Sequence, residues 1–510
     1  MGSWWERAAR SYALAPVRVV ALTAGGVGLA LAVGSVAAAG PWQGGQRTAE
    51  AERAKAQVGT VVTTVVPRPV PPPRWLPAPD VLQAAGVTTV TSGTGAGTGT
   101  GADAVAPQPP LPTAAGLAAA LGSDLDSAAL GKVTASVVDA ATGRTLYASG
   151  AATPQTPAST NKIATSVAAL SLLGPDHRFS TTVVSPAPGR IVLVGGGDPT
   201  LTAAATGGAD PQASLATLAD RTAAALKAAG AVKVSLGYDI SLFSGPAVHP
   251  IGINDNIALV QALTVDEGRL DPHSTENAPR YADPAATAAS DFAALLGKRG
   301  ITVTAAPKPA TGTAKAAKAA GTPPLAQVDS QPLSEIVERM LTESDNDIAE
   351  TLGHQVAIAA HAPATFAGGA AAVRKELTAL GVPLGGTRLA DASGLSSQDV
   401  IPAEVLTRLL VLASSPDHPE LRSVVSGLPV AGFTGTLDNR YDTGGEEAGL
   451  GVVRAKTGSL STVNTLAGLV VDRDGRLLVF AFMSNGSGSV DSSRSALDLL
   501  AGRVAVCGCR

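Results

Sequence analysis

Three polar strings stand far apart in this 510-residue chain: Ser159-Thr160-Asn161-Lys162, then Ser344-Asp345-Asn346, then Lys456-Thr457-Gly458. In order they read S-x-x-K, S-D-N and K-T-G. The first opens a segment with helical spacing of Ile163, Val167, Leu170 and Leu173. The second falls between two helical stretches, Leu333 to Glu343 and Asp347 to Ala360. The third lies on Gly451 to Ser459, which reads as a strand. Any one string recurs by chance; all three in sequence demand a fold that brings a helix start, a helix–helix turn and a strand edge to one place.

Each string suits a different piece of chemistry. Lys162 follows Ser159 by three residues, so both side chains fall on one helix face. A serine hydroxyl is a weak nucleophile until a base takes its proton. Lysine serves as that base only where burial and nearby positive charge, here Lys456 and a helix N-terminus, lower its pKa. In isolation Ser159 would read as a helix cap. Ser344 is a candidate proton relay between Lys162 and a leaving amine, and Asn346 a donor to a substrate backbone. Lys456 and Thr457 are candidates to bind a carboxylate. Glycine at 458 leaves the strand edge bare for a substrate backbone. The backbone N–H groups of Ser159 and Ser459 are candidates for an oxyanion hole.

This set of strings marks serine enzymes that act on penicillins and D-alanyl peptides. The chain resembles the D-alanyl-D-alanine carboxypeptidase/endopeptidase family, the low-molecular-mass class C penicillin-binding proteins. The stretches Leu193–Leu201 (LVGGGDPTL), Pro332–Val337, Asp391–Ser396 and Leu428–Leu437 extend the resemblance over about Leu111 to Arg503. It implies Ser159 as acyl-enzyme nucleophile, Lys162 as general base, Ser344 and Asn346 as the second motif, and Lys456 as carboxylate anchor. The implied substrates are peptidoglycan stem peptides, with β-lactams as covalent inhibitors. Two other readings share the motifs. A β-lactamase of class A needs a glutamate that directs water, but Glu376-Leu-Thr-Ala-Leu380 lacks the asparagine of E-x-x-L-N and sits in a helix, Ala370 to Leu380, that reads as structural. A noncatalytic binding module would tolerate loss of Lys162 or Lys456, and both are present.

The expected fold is α/β: a penicillin-recognising transpeptidase-like (serine β-lactamase-like) domain with an antiparallel sheet and a helical cluster, interrupted by an inserted smaller α/β domain. Val133 to Asp139 and Thr145 to Ser149 form a hairpin around Ala140-Ala-Thr-Gly143. Thr465 to Val471 and Leu477 to Met483 form another through Asp472-Arg-Asp-Gly475. Leu497 to Val504 belongs to a closing helix. The long interval between the first two strings carries strand signals (Arg190 to Val194, Val232 to Tyr238, Ile301 to Thr304) and helix signals (Pro211 to Ala229, Pro284 to Lys298), enough for a domain. The enzyme domain is therefore expected over 113–190 and 326–506, and the insertion over 191–325. Ala305 to Pro324, rich in Ala, Lys, Thr and Pro, is expected to loop out. Gly195-Gly-Gly-Asp198-Pro199 reads as a turn.

The N-terminus places the enzyme. Val19 to Gly40 carries no charge and is long enough to span a bilayer. Arg7, Arg10 and Arg18 precede it, so residues 1–18 are expected in the cytoplasm and the rest outside. Ala37-Ala38-Ala39 also fits a cleavage site, so 19–40 is a signal anchor or a signal peptide. Either places the enzyme outside the cytoplasmic membrane, anchored or secreted to the cell wall. Residues 41–112 hold Pro-rich and Gly/Thr-rich runs that cannot bury a core and read as a disordered tether. A net charge of -4 gives no footprint for nucleic acid. The six histidines do not fall at ligand spacings, and no metal or cofactor is expected. The two cysteines, Cys507 and Cys509, stand too near in sequence for an unstrained bridge.

Overall fold

The computed structural model describes residues 108–207, 212–274, 277–442 and 444–508. Its central sheet is antiparallel, with five strands. The edge strand Val453–Leu460 pairs with Val463–Val471, which pairs with Leu477–Asn485. Next comes Lys132–Asp139, and Thr145–Ser149 closes the other edge. The register is continuous: Lys456 faces Ala467, and Ala467 faces Ala481. Both hairpin turns close as their chemistry demands. Gly143 and Gly475 take positive φ, and Gly143 N–H bonds the Asp139 carbonyl at 2.8 Å.

Successive side chains of a strand point to opposite faces, and here both faces are covered. Val137, Leu466, Phe480 and Phe482 pack under Leu117 and Leu121 of helix Ala114–Leu125 and Leu497, Leu500 and Val504 of helix Val490–Ala505. Their neighbours Val138, Ala467, Val479, Ala481 and Met483 pack on the helical cluster of the other side. That cluster contains Lys162–Leu173, Leu333–Glu343, Asn346–Ala359, Phe366–Ala379 and Ala403–Ser414. Burial on two faces explains why these strands read as nearly unbroken apolar runs.

The interval between the first two motifs has its own core, from Val183, Ile191, Leu193, Leu236, Phe292, Ile301 and Val328. Its sheet includes Ser180–Ala187 and Ala326–Asp329, which pair antiparallel, while Arg190–Val194 runs parallel to Lys233–Asp239. Strand 180–187 thus belongs with this sheet rather than with the residues before it. Helices Leu215–Ala228 and Pro284–Lys298 cover it.

Two expectations are corrected. The run from Ala305 to Pro324 does not loop out: Lys308–Pro309 adds to Lys233–Asp239, and Thr313–Ala319 is helical. Asp239 anchors that helix by accepting from the Ala314 N–H at 2.9 Å. Cys507 is disulfide-bonded. The segment read as tether ends earlier than Pro112, because buried Arg476, paired with Asp139, also holds Gln108 and the Pro109 carbonyl. The membrane segment 19–40 and the rest of the tether lie outside the described residues. Among the described residues no helix is long and apolar enough to cross a membrane.

Candidate active site

Ser159 sits in a single tight turn, Ala158–Asn161, immediately before helix Lys162–Leu173. It does not cap that helix with its side chain. The turn is held from several sides. Ala158 takes φ 47°, in the left-handed region that non-glycine residues rarely adopt. The Pro157 carbonyl accepts from Thr160 Oγ1 and Thr465 Oγ1, each at 2.7 Å. Such over-determination is what keeps a strained residue in place.

Lys162 is fully buried. Its Nζ lies 3.0 Å from Ser159 Oγ, 2.7 Å from Asn346 Oδ1 and 2.9 Å from the Ser393 carbonyl oxygen. A neutral amine has two N–H donors and one lone pair. Lys162 Nζ thus stands within hydrogen-bond reach of the Ser159 hydroxyl and of two acceptor oxygens. Asn346 is itself oriented, because its Nδ2 donates to the Asn256 carbonyl at 3.1 Å.

Ser344 ends helix Leu333–Glu343 in a left-handed conformation, φ 64°. The cap of the next helix is Asp345, which accepts from the Ile348 N–H. The Ser344 hydroxyl is thereby spared from capping and meets Lys456 Nζ at 2.7 Å. Lys456 is also fully buried and donates to the Thr457 carbonyl at 2.8 Å. The hydroxyls of Thr457 and Thr436 share a 2.8 Å bond. The Ala455 N–H points off the sheet to the Pro429 carbonyl. By strand alternation the backbones of Thr457 and Ser459 also face outward, away from Val463–Val471. The Ser459 hydroxyl donates to Asn464 Oδ1 at 2.9 Å.

Gly458 has a different reason from the one its sequence context suggested. A Cβ there would stand 2.3 Å from Thr465 Oγ1, 2.7 Å from the Pro157 carbonyl and 3.0 Å from the Ser159 nitrogen. Glycine is required so that the strand can press on the nucleophile turn. Gly394, at φ 84°, plays the matching part opposite: a Cβ would fall 1.9 Å from the Ala158 carbonyl.

The three motifs that hold the eight residues singled out from the sequence, Ser159, Lys162, Ser344, Asn346, Lys456, Thr457, Gly458 and Ser459, thus come together at one place. The sequence reasoning missed Ser393, which acts through its backbone oxygen, and Thr436. Beneath Ser393 it also missed Glu350, which is four residues after Asn346 and so on the same helix face.

Two groups of buried acids lie where the inserted domain meets helix Asn346–Ala359: Glu350 and Asp391 with His249, and Glu267, Asp345 and Asp347. Each already contains a cation of the chain. In the second, Arg269 pairs with Glu267 and Asp345, Arg280 with Asp347 and Arg339 with Glu267. Burial, then the charge of Asp345, still pushes Asp347 up to about 6. Both groups therefore serve as ion-pair seams rather than open ligand sets.

The sequence matches the D-Ala-D-Ala carboxypeptidase 3 (S13) family over residues 117–279 and 272–504. The chain belongs to this family. It is 40% identical over 408 residues to carboxypeptidase DacB of Mycolicibacterium smegmatis, covering 78% of this chain and 86% of that protein. To carboxypeptidase Rv3627c of Mycobacterium tuberculosis it is 38% identical, over 78% of this chain and 85% of that one. The crystal structure of penicillin binding protein 4 (dacB) from Haemophilus influenzae superposes with a TM-score of 0.59 at 22% identity, covering 76% of this chain and 97% of that one. That likeness carries the fold: a penicillin-recognising α/β architecture.

Proposed function

We propose that this S13-family chain is a serine D-alanyl-D-alanine carboxypeptidase that removes the terminal D-alanine of peptidoglycan stem peptides through an acyl-enzyme on Ser159. The observation that carries the reading is the setting of Lys162 Nζ, 3.0 Å from Ser159 Oγ with two further oxygens to take its N–H groups. Ser159 Oγ attacks the carbonyl of the penultimate D-alanine as its proton passes to Lys162. The developing oxyanion is met by the N–H groups of Ser159 and Ser459. The leaving D-alanine takes a proton relayed through Ser344, which Lys456 holds. Its free carboxylate meets Lys456, Thr457 and Thr436. Asn346 hydrogen-bonds the substrate and keeps Lys162 aimed. Water then hydrolyses the acyl-enzyme. Cleavage of D,D cross-bridges uses the same centre, since it also breaks the bond after a D-alanine.

Penicillins acylate Ser159 by the same route and inhibit the enzyme. A β-lactamase reading is disfavoured because Glu376, on the helix Phe366–Ala379, is taken up by the Ser171 hydroxyl at 2.6 Å, away from Ser159 along the helix. The enzyme works outside the cytoplasmic membrane, with Val19–Gly40 as its signal anchor or its signal peptide. The domain division that best fits the separate cores counts the insertion from Ser180 to Asp329.

The test is benzylpenicillin binding followed by peptide mapping and muropeptide digestion. One covalent equivalent is expected on the peptide containing Ser159, with loss of a D-alanine mass from pentapeptides. Ser159→Ala abolishes both. Labelling that persists in this variant overturns the assignment.

A further inference from the structure

The oxygen that orients Lys162 from below, the Ser393 carbonyl, belongs to a loop whose carbonyls are held by Asn161 and Thr165 and whose N–H groups are held by buried carboxylates. Glu350 Oε1 accepts from the N–H groups of Ala392 at 3.0 Å and Ser393 at 2.7 Å. Asp391 accepts from Gly394 and Ser396, each at 2.6 Å. Asp399 accepts from Ala390 at 2.5 Å. Glu350, Asp391 and Asp399 are at most 1% exposed. Two such carboxylates facing each other in a dry interior repel and lose hydration, and they stay only where a cation or donor stands between them.

That group comes from the inserted domain. His249 Nε2 lies 3.3 Å from Asp391 Oδ2 and 3.6 Å from Glu350 Oε1, in ion-pair range of both without a formed hydrogen bond to either, and its side chain has no exposed surface. The ring is wedged edge-on against Phe366, centroids 4.9 Å apart, with Nε2 facing the carboxylates. Ile257, Val260 and Phe366 form a small apolar cluster at this place.

We propose that His249 is a positioning residue for catalysis: its ring, set between Glu350 and Asp391, clamps the two carboxylates by charge, and they hold the 390–396 loop so that the Ser393 carbonyl stays aimed at Lys162 Nζ. The inserted domain is then part of the catalytic apparatus and not only an attachment. This rests on Lys162 being the base.

The electrostatics around the ring agree. Glu350 and His354 face it from helix Asn346–Ala359, and Asp391, backed by Asp399, from the loop. Phe366 offers no charge from its own helix. Burial pushes the imidazole down, but contact with Asp391 and Glu350 outweighs this and raises it to about 9. Burial and the charge of Asp391 raise Asp399 to about 9, so it keeps a proton to share with Asp391. A histidine raised in the folded state contributes stability that is complete below the unfolded value of about 6.5 and is lost as the pH rises through about 9. Acylation should therefore decline on the alkaline side as the clamp weakens.

The experiment is stopped-flow acylation of the full chain, in detergent, by a chromogenic cephalosporin from pH 5 to 10, with melting curves at each pH. His249→Phe keeps a ring but removes the donor, and its limiting acylation rate should fall on the order of 10–100-fold with little change in half-saturation, the scale expected when a reacting group is misplaced. His249→Gln restores a neutral donor in place of the charge, so it should recover part of the rate at pH 7 and lose the alkaline decline. A folded His249→Phe that acylates within twofold of wild type overturns the proposal. Should that variant not fold, Glu350→Gln decides: it keeps an oxygen for the Ala392 and Ser393 amides but removes a charge. The alkaline limb should then move to lower pH while the acid limb stays, and an unmoved limb overturns the proposal. Lys162→Ala is run alongside. Normal acylation in Lys162→Ala defeats the base reading itself, whereas an inactive Lys162→Ala beside a normal His249→Phe defeats only the role of His249.

Discussion

Lys162 and Lys456 are both lysines without exposed surface, one on each wall of the cleft, yet their surroundings suit opposite tasks. Lys162 meets Ser159 and two oxygens that can only accept, the Asn346 side-chain oxygen and the Ser393 carbonyl. That environment suits the proposed base, because a neutral amine could donate to both oxygens and accept from Ser159. Lys456 meets the Thr457 carbonyl and the Ser344 hydroxyl. A hydroxyl accepts from one neighbour while donating to another, so this lysine stands at the head of a relay and beside the threonine hydroxyls suited to a carboxylate. In the proposed mechanism the same side chain takes the role of base or of cation according to whether its neighbours can pass a proton on.

The sharpest way to break this distinction is to remove each amine in turn. Lys162→Ala leaves the turn and the strand edge in place but takes away the proton acceptor. Acylation by benzylpenicillin should slow by about 10²–10⁴-fold, the usual contribution of a general base. An equal loss for Lys456 and none for Lys162 would reverse the two roles.

Lys456→Gln should act more on recognition. A charge-assisted hydrogen bond is worth roughly 1.5–3 kcal/mol, which corresponds to about 10–150-fold in rate. Wild type should prefer a peptide with a free terminal carboxylate over its amide by about that factor, and the variant should lose most of this preference. A slower variant that keeps the full preference would assign the carboxylate to another residue, with Arg454 and Arg440 as candidates.

Gly458→Ala perturbs the contact that both centres share. Its methyl would press on Thr465 Oγ1, the Pro157 carbonyl and the Ser159 nitrogen. Overpacking of this kind costs about 1–3 kcal/mol, read as a lower melting temperature. The acid-over-amide preference should survive, because the lysines stay in place. A variant with unchanged melting and acylation would show that the strand can give way.

The glycine also marks how far the sequence carries. Its presence was legible, but the reason was assigned to the substrate when the nearer cause is the nucleophile turn packed against the strand. The hairpins, the both-faces-buried sheet and the separate core of the insertion follow from apolar periodicity and turn residues, which are local signals. The helix and strand in 308–319 escaped notice because alanine, lysine and proline there resemble a linker, and Asp239, distant in sequence, anchors the segment.

The sequence by itself determined which side chains can do the chemistry. Ser159 and Lys162 are one helical turn apart, Ser344 closes a helix and Asn346 opens the next, and Lys456 to Ser459 form a strand, so each motif is built within one element or at the junction of two neighbours. The tertiary structure decided what surrounds them. Lys162 finds its acceptors in segments that join it only through the fold, and one of them is a backbone carbonyl that every residue type provides. His249 is a lone histidine with no spacing to recommend it, yet it lies buried against Glu350 and Asp391. Proton affinity and hydrogen-bond geometry depend on atoms brought together in three dimensions, which neither the spacing of the motifs nor the apolar pattern encodes.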